Sequence, residues 1–218
     1  MASSIDPPDS DHPPTEGSGT AVLGAPPAAV LGAPPAPVRW MRALEASHWP
    51  DRLTALYRPL AAAVAGPPDS SRDRFLTGRW LGHALHPVLV LTPVGMWSAT
   101  TALDLVGGPS AGPAARRLLG IGLLATPSAV ATGLAEWRPT AGGPRRVGLA
   151  HAAANTGAST LMLLSYLARR RGSRTTGTVL ALAGNSLTGL AGYLGGHLTV
   201  VNRVASRNPT FDNWSATG

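Results

Sequence analysis

The stretch GHALHPVLVLTPVGMWSATTALDL, residues 82–105, decides how this chain folds. From His86 to Val106 the sequence is apolar almost throughout, and Asp104 is its only charged side chain. About 20 consecutive apolar residues are enough for a helix to cross a lipid bilayer. The stretch therefore predicts a membrane-spanning helix.

Three further apolar segments follow, at about 118–135, 147–168 and 178–201. Arginine and tryptophan stand near the segment ends, where membrane proteins carry positive charge and aromatic belts. The flanking residues are Arg79, Trp80, Arg116, Arg117, Trp137, Arg138, Arg145, Arg146, Arg169, Arg170, Arg171, Arg174 and Arg203. Four such segments predict an all-α fold, an integral membrane antiparallel four-helix bundle over residues 78–205.

Small residues and prolines inside these segments fit a membrane setting. Gly192 and Gly196 stand four apart, as do the alanines at 150, 154 and 158, and such stripes let membrane helices approach closely. Pro93 and Pro127 each remove a backbone donor, so we expect a kink at each of them.

The composition excludes several kinds of chemistry. Only 13% of residues are charged, against about 25% in typical soluble domains. All 18 basic residues are arginine and there is no cysteine, which excludes lysine catalysis, disulfides and cysteine-bound metals or iron–sulfur clusters. The net charge of +7 could indicate a nucleic-acid partner, but the arginines flank apolar segments and only 5% of residues are aromatic. Nucleic-acid binding is therefore not expected.

Both ends of the chain differ from the apolar part. Residues 1–37 are rich in Ala, Pro and Gly and contain the octamer AVLGAPPA twice, at 21–28 and 29–36, which predicts a disordered tail. No signal peptide is expected, because the start is acidic and no long apolar core follows. Residues 206–218 are predicted to form a polar C-terminal tail.

Residues 38–75 combine arginine, tryptophan and leucine in a helical pattern, with breaks expected near Pro50 and Pro59. A basic, aromatic and aliphatic helix is typical of a segment lying on an anionic membrane surface. The alternative is that this segment packs against the rest of the chain.

The histidines of the predicted bundle collect at one of its ends. With alternating crossings, the first and third segments begin, and the second and fourth end, at the same membrane face, which we call face A. His83 and His86 lie where the first segment begins, His151 near the start of the third, and His197 near the end of the fourth. Glu136 ends the second segment on the same face.

Histidines at this depth point to a functional site. Imidazole binds transition metals and is an axial ligand of b-type haem, and Glu136 could add a carboxylate. Asn155, Thr132 and Ser159 are candidates for orienting the histidines through hydrogen bonds. The alternative is that the histidines lie in the headgroup region, in water, and only hold loops together.

Asp104 lies near the opposite end of the first segment, at face B. Arg116 and Arg117 begin the next helix after a short loop, so a cap or an ion pair with them is expected. A proton-relay role is the alternative.

Four sequence blocks in this order resemble the DUF2231 family of bacterial predicted membrane proteins. They are GHALHPVLVLTPVGMWSATTALDL (82–105), LLATPSAVATGLAEW (123–137), RRVGLAHAAANTGASTLML (145–163) and GLAGYLGGHL (189–198). The resemblance covers roughly residues 78–205. It implies a four-helix integral membrane domain whose characteristic histidines are His83, His86, His151 and His197. It attaches a redox or haem role to the family without establishing an activity.

The leading functional prediction is a cofactor-binding membrane module, holding haem b or a transition metal at His83, His86, His151 and His197, supported by Glu136 and Asn155. Its partners would be the lipid bilayer and a redox protein or another membrane subunit. A multi-pass location in the bacterial inner membrane with a cytoplasmic N-terminus is expected, and no independent catalysis. The alternative is a cofactor-free structural or regulatory membrane subunit, and a proton or small-solute channel comes third.

Overall fold

The computed structural model describes residues 33–205, so most of the predicted 1–37 tail and all of 206–218 lie outside the described residues. Within that range the secondary structure is helical and contains no strand. The α-helices are α1 Ala36–Ala46, α2 Thr54–Ala65, α3 Ser71–Leu76, α4 His86–Leu89, α5 Leu91–Val106, α6 Gly112–Trp137, α7 Gly142–Arg170 and α8 Arg174–Gly196. Short 3₁₀ turns occupy Trp49–Leu53 and Pro109–Ala111, and a π-helical turn, His197–Val201, follows α8.

The four apolar segments fall on α4–α5, α6, α7 and α8. Helices α5 and α6 run antiparallel, because the Thr100 hydroxyl donates to the Ala115 carbonyl at 3.2 Å near one end while His86 contacts Ala129 near the other. Helices α7 and α8 are antiparallel as well, and among the described helices their contact is the most extensive. Helix α6 also packs on α7, and α5 on α8.

Two of these segments are long and apolar enough to cross a membrane, among the residues that the structure describes. They are His86–Val106, with mean hydropathy 1.3, and Pro109–Trp137, with mean hydropathy 1.7. Helices α7 and α8 do not meet the same standard. Their glycines and threonines, together with His151, Asn155 and Asn185, lower the hydropathy.

The central core is a cluster of Trp97, Leu119, Met162 and Ala181, one residue from each long helix. Glycines make room for two of its side chains. A Cβ at Gly122 would collide with the Trp97 indole, and a Cβ at Gly184 would lie 2.9 Å from the Met162 methyl group.

The predicted role of Gly192 and Gly196 is wrong. Both are exposed, and a Cβ on either would meet nothing within 4 Å. They lie on the outer side of α8, whereas Gly184 faces α7. The predicted alanine stripe is closer to the observed packing, since Ala150 and Ala158 are buried.

Prolines act in two different ways. Pro93 cannot donate to the carbonyl four residues earlier, and the first segment is interrupted at Val90, between α4 and α5. Pro127 lies inside α6, which continues to Trp137. Pro50 lies in the 3₁₀ turn between α1 and α2, as expected, but α2 continues through Pro59, so the break predicted there is wrong.

Candidate functional site

His86 begins the first apolar segment and turns its ring toward α6. Its Nδ1 lies 2.9 Å from the Ala129 carbonyl oxygen and 3.4 Å from the Thr132 hydroxyl. A carbonyl can only accept, so Nδ1 carries the proton and Nε2 is the basic nitrogen of the neutral ring. The ring lies against Gly133, where a Cβ would come 2.8 Å from its Cε1 atom.

His151, in the second turn of the apolar part of α7, is held by α8 in the same way. Its Nδ1 donates to the Ala191 carbonyl at 2.8 Å, and its ring lies against Gly195. The Nε2 atom accepts a hydrogen bond from the Asn155 side-chain amide at 3.0 Å. Asn155, predicted as a supporting residue, thus contacts the Nε2 atom of His151.

The two imidazoles meet between the helices. Their ring centroids are 6.2 Å apart and their planes are nearly perpendicular, at 80°. Each ring is fixed by one carbonyl and one glycine of the following helix. The sequences that supply them are AVATG at 129–133 and AGYLG at 191–195, both of the form Ala-x-x-x-Gly.

This correspondence extends along the helices, so that the α5–α6 pair and the α7–α8 pair are structural repeats. The same 65 residues separate His86 from His151 and Asp104 from Arg169. Ser165 is 65 residues after Thr100 and makes the matching contact, since its hydroxyl donates to a carbonyl of α8 at 2.6 Å. Each pair therefore contributes one histidine and one charged side chain at equivalent positions.

At face B the repeat produces an ion pair. Arg169 donates to both carboxylate oxygens of Asp104, and their side chains are only 4% and 0% exposed. Arg116 and Arg117 are both exposed. The prediction that they pair with Asp104 is therefore wrong. They are nearest to Asp104 along the chain, but Arg169 reaches it across the space between the helices.

The remaining predicted histidines lie elsewhere. His197 begins the π-helical turn, and its Nε2 lies 2.9 Å from Oε1 of Glu45 in α1. His83 is exposed in the connection between α3 and α4. Over residues 33–205, no three His, Cys, Asp or Glu side chains are arranged to hold a metal ion. The four histidines thus do not form one group there.

Glu136 lies one turn beyond the His86 site on α6. It shares a helix face with Ala129, Thr132 and Gly133, which are seven, four and three residues before it. Glu136 is half-buried, and its carboxyl group interacts electrostatically with Asp73 and Arg79, in and just after α3. The structure brings Glu136 toward these charges rather than into a shared ligand set with histidine.

Glu45 is a partner of His197 that the sequence did not indicate. Burial raises the pKa of its carboxyl group, but hydrogen bonds from Asn202 and His197, and the positive charge of His197 and Arg42, outweigh burial and hold that pKa below its usual value. Asn202 donates to Oε1 at 3.0 Å. Glu45 therefore fastens α1 to the end of α8.

The donor set fits a group that takes two histidine ligands. Metal-bound histidines commonly donate their second ring nitrogen to a backbone carbonyl, and both His86 and His151 do so. A metal ion held by three or four side chains does not fit the described residues. The Nε2 atom of His151 would have to exchange its bond to Asn155 for the ligand.

The comparisons with known proteins give a family and no closer relative. A family model described as a predicted membrane protein, DUF2231, matches residues 82–208. No curated protein and no solved structure matches the chain.

Proposed function

Because the chain belongs to the DUF2231 family of predicted membrane proteins, we propose that it is a multi-pass integral membrane protein whose helices α5–α8 form an antiparallel four-helix bundle across the bilayer. Two segments have the length and hydropathy of spans. Helices α7 and α8 repeat the contacts of the first pair, which supports a crossing by each of them. Location in the bacterial inner membrane with the N-terminus in the cytoplasm remains part of this proposal.

The site of function in this proposal is the pair His86 and His151, which would hold a b-type haem. The observation that carries it is that both rings donate Nδ1–H to a carbonyl of the following helix, which fixes the tautomer with a basic Nε2. Haem would supply one-electron transfer, for a redox protein or another membrane subunit as partner.

The chain's own contribution is to orient the two imidazoles. Gly133 and Gly195 let the Cε1 edges of the two rings come close to α6 and α8, and the bonds to the two carbonyls fix how the rings are turned. A transition metal ion is the less favoured ligand, because two histidines leave its coordination incomplete.

The test is a visible spectrum, with metal analysis, of the full chain purified in detergent from cells supplied with haem. A Soret band that is lost in both His86→Ala and His151→Ala is the expected result. His83→Ala and His197→Ala are matched controls and should keep the band. A colourless, metal-free protein that takes up no added haem, or a band lost only in the control variants, would overturn the assignment.

A second candidate is a cofactor-free structural or regulatory membrane subunit. The bond from Asn155 to Nε2 of His151 favours it, because that ring is already satisfied without a ligand. In that case Asn155→Leu should destabilise the protein. If haem is bound instead, Asn155→Leu should retain or increase its uptake.

A further inference from the structure

Residues 40–82, which we call the collar, pack around the long helices at face A. Met41 and Leu44 of α1 are buried in a cluster with Val147 of α7 and Leu198, which follows α8. Helix α2 packs along α6, and its Ala61 and Ala65 are fully buried. The collar is thus part of the folded unit and not a free helix.

Ion pairs hold the collar level with the ends of the spans. Arg138 directly follows the apolar segment that ends at Trp137, and its guanidinium donates to Asp73 of α3 at 2.6 Å. Arg146, in the first turns of α7, contacts the Asp51 carboxylate at 3.2 Å. Since these arginines mark where the apolar segments end, the collar lies level with the ends of those segments.

The acidic side chains of the collar have partners within the described part of the protein, whereas several of its arginine side chains do not. Its carboxylates all have polar partners within the chain. These are Glu45, Asp51, Asp69 and Asp73. By contrast, Arg52, Arg58 and Arg74 are exposed, and their side chains make no hydrogen bond or ion pair among the residues that the structure describes. The collar therefore presents positive charge whose neutralising groups must come from outside.

Large apolar side chains accompany these arginines on the collar surface. Leu56 is 64% exposed, Trp49 51%, Phe75 59% and Trp80 62%. The rings of Phe75 and Trp80 stack at 5.9 Å beside a surface cavity of about 400 Å³ that Ser71, Arg74 and Arg79 also line. Exposed tryptophan next to unpaired arginine is the composition of a membrane interface.

We propose that the collar lies in the headgroup layer of a leaflet rich in anionic phospholipid, with its unpaired arginines on lipid phosphates and its exposed rings at the acyl boundary. Charge complementarity decides the occupant, because an acidic surface is needed for Arg52, Arg58 and Arg74. Each arginine near such a surface contributes about 1 kcal/mol, which is roughly fivefold in partitioning. The proposal does not depend on whether the histidine pair binds haem.

The test measures the depth of a spin label on the collar. The chain has no cysteine, so Leu56→Cys gives a single attachment site. The full chain is reconstituted in phosphatidylcholine vesicles with and without phosphatidylglycerol, and collisions with oxygen and with a water-soluble nickel chelate report depth. Labels at Leu124, which is 84% exposed on α6, and at Ser110 in the α5–α6 loop give the lipid and water references.

With phosphatidylglycerol present, the label at Leu56 should read between the two references. The triple variant R52Q/R58Q/R74Q should move it toward the water value, whereas R116Q/R117Q, which removes charge at face B, should not. Three results would overturn the proposal. They are a Leu56 label as wet as the one at Ser110, a depth unaffected by the triple variant, and a label shielded from both quenchers, which would indicate a protein partner on the collar.

Discussion

Arg169 of α7 binds Asp104 of α5 through both carboxylate oxygens, and the pair is almost completely shielded from solvent. Ser165 accepts a hydrogen bond from the Arg169 Nε at 3.2 Å and donates to the Gly177 carbonyl. Three long helices therefore meet at this pair. Because the charges are paired and hydrogen-bonded, their burial is tolerated, but neither can be left alone.

Removing one member of the pair should be strongly destabilising. We expect Asp104→Asn or Arg169→Gln to lower the free energy of unfolding by about 3–5 kcal/mol, because each leaves an uncompensated buried group. The double variant D104L/R169M should be close to wild type, since it removes both charges. Denaturant unfolding in mild detergent measures this. Equal losses in the single and double variants would contradict it.

Exchanging the two charges should destabilise the protein for a steric reason. A smaller residue beside position 104 should then restore its stability. A Cβ at Gly177 would lie 2.6 Å from the Arg169 side chain, so arginine needs glycine at that place. The equivalent residue beside Asp104 is Ala115. The variant D104R/R169D should therefore remain destabilised, and adding Ala115→Gly should restore thermal stability. Rescue by the exchange alone would show that the two sites are not equivalent in packing.

Two glycines should be sensitive to a single methyl group. Gly133→Ala places Cβ 2.8 Å from the His86 ring, and Gly195→Ala places it 3.1 Å from the His151 ring. We expect losses of about 1–3 kcal/mol, larger at Gly133, and displaced imidazoles. Gly189→Ala and Gly192→Ala meet nothing within 4 Å and should be neutral or slightly stabilising. Thermal melts in detergent compare the four variants.

The sequence alone was sufficient for the helical class and for the four apolar segments, because hydropathy and flanking arginines are local properties. The sequence also contains a signal for the repeat. GLLATPSAVATG at 122–133 and GNSLTGLAGYLG at 184–195 share the pattern Gly-x₃-Thr-x₂-Ala-x₃-Gly. In both, the threonine hydroxyl donates to the first glycine carbonyl, at 2.9 and 3.0 Å.

The composition of the site was harder to predict for a physical reason. All four histidines were expected at one face, but which of them meet depends on how far each helix is rotated about its axis. His197 lies only two residues beyond Gly195 and nevertheless faces Glu45 instead of His151. Asp104 likewise pairs with Arg169 and not with Arg116 or Arg117, which are nearer in sequence. The rotation of each helix about its axis and the pairing of residues distant in sequence are set by packing, which no local sequence pattern specifies.

Acid should release α1 from the end of α8. The pKa of Glu45 is lower in the folded protein than its usual value of 4.5, so the folded state binds that proton less tightly than the unfolded chain. The stabilisation is complete above pH 4.5 and is lost as the pH falls through the lower, folded pKa. Hydrogen exchange of residues 41–46, corrected for intrinsic rates, should accelerate in this range. In Glu45→Gln the step should be absent, and an unchanged step would assign it to another group.

The repeat makes a prediction about topology that separates two spans from four. Contacts between His86 and His151, and between Asp104 and Arg169, require α5 and α7 to point the same way. Reporters fused after Ser110 and after Gly172 should therefore lie on one side of the membrane, and a reporter after Thr140 on the other. With a cytoplasmic N-terminus, alkaline phosphatase should be active after Ser110 and Gly172, and green fluorescent protein should fluoresce after Thr140. If only His86–Val106 and Pro109–Trp137 cross, the Thr140 and Gly172 fusions will agree with each other instead, and the four-span bundle will be wrong.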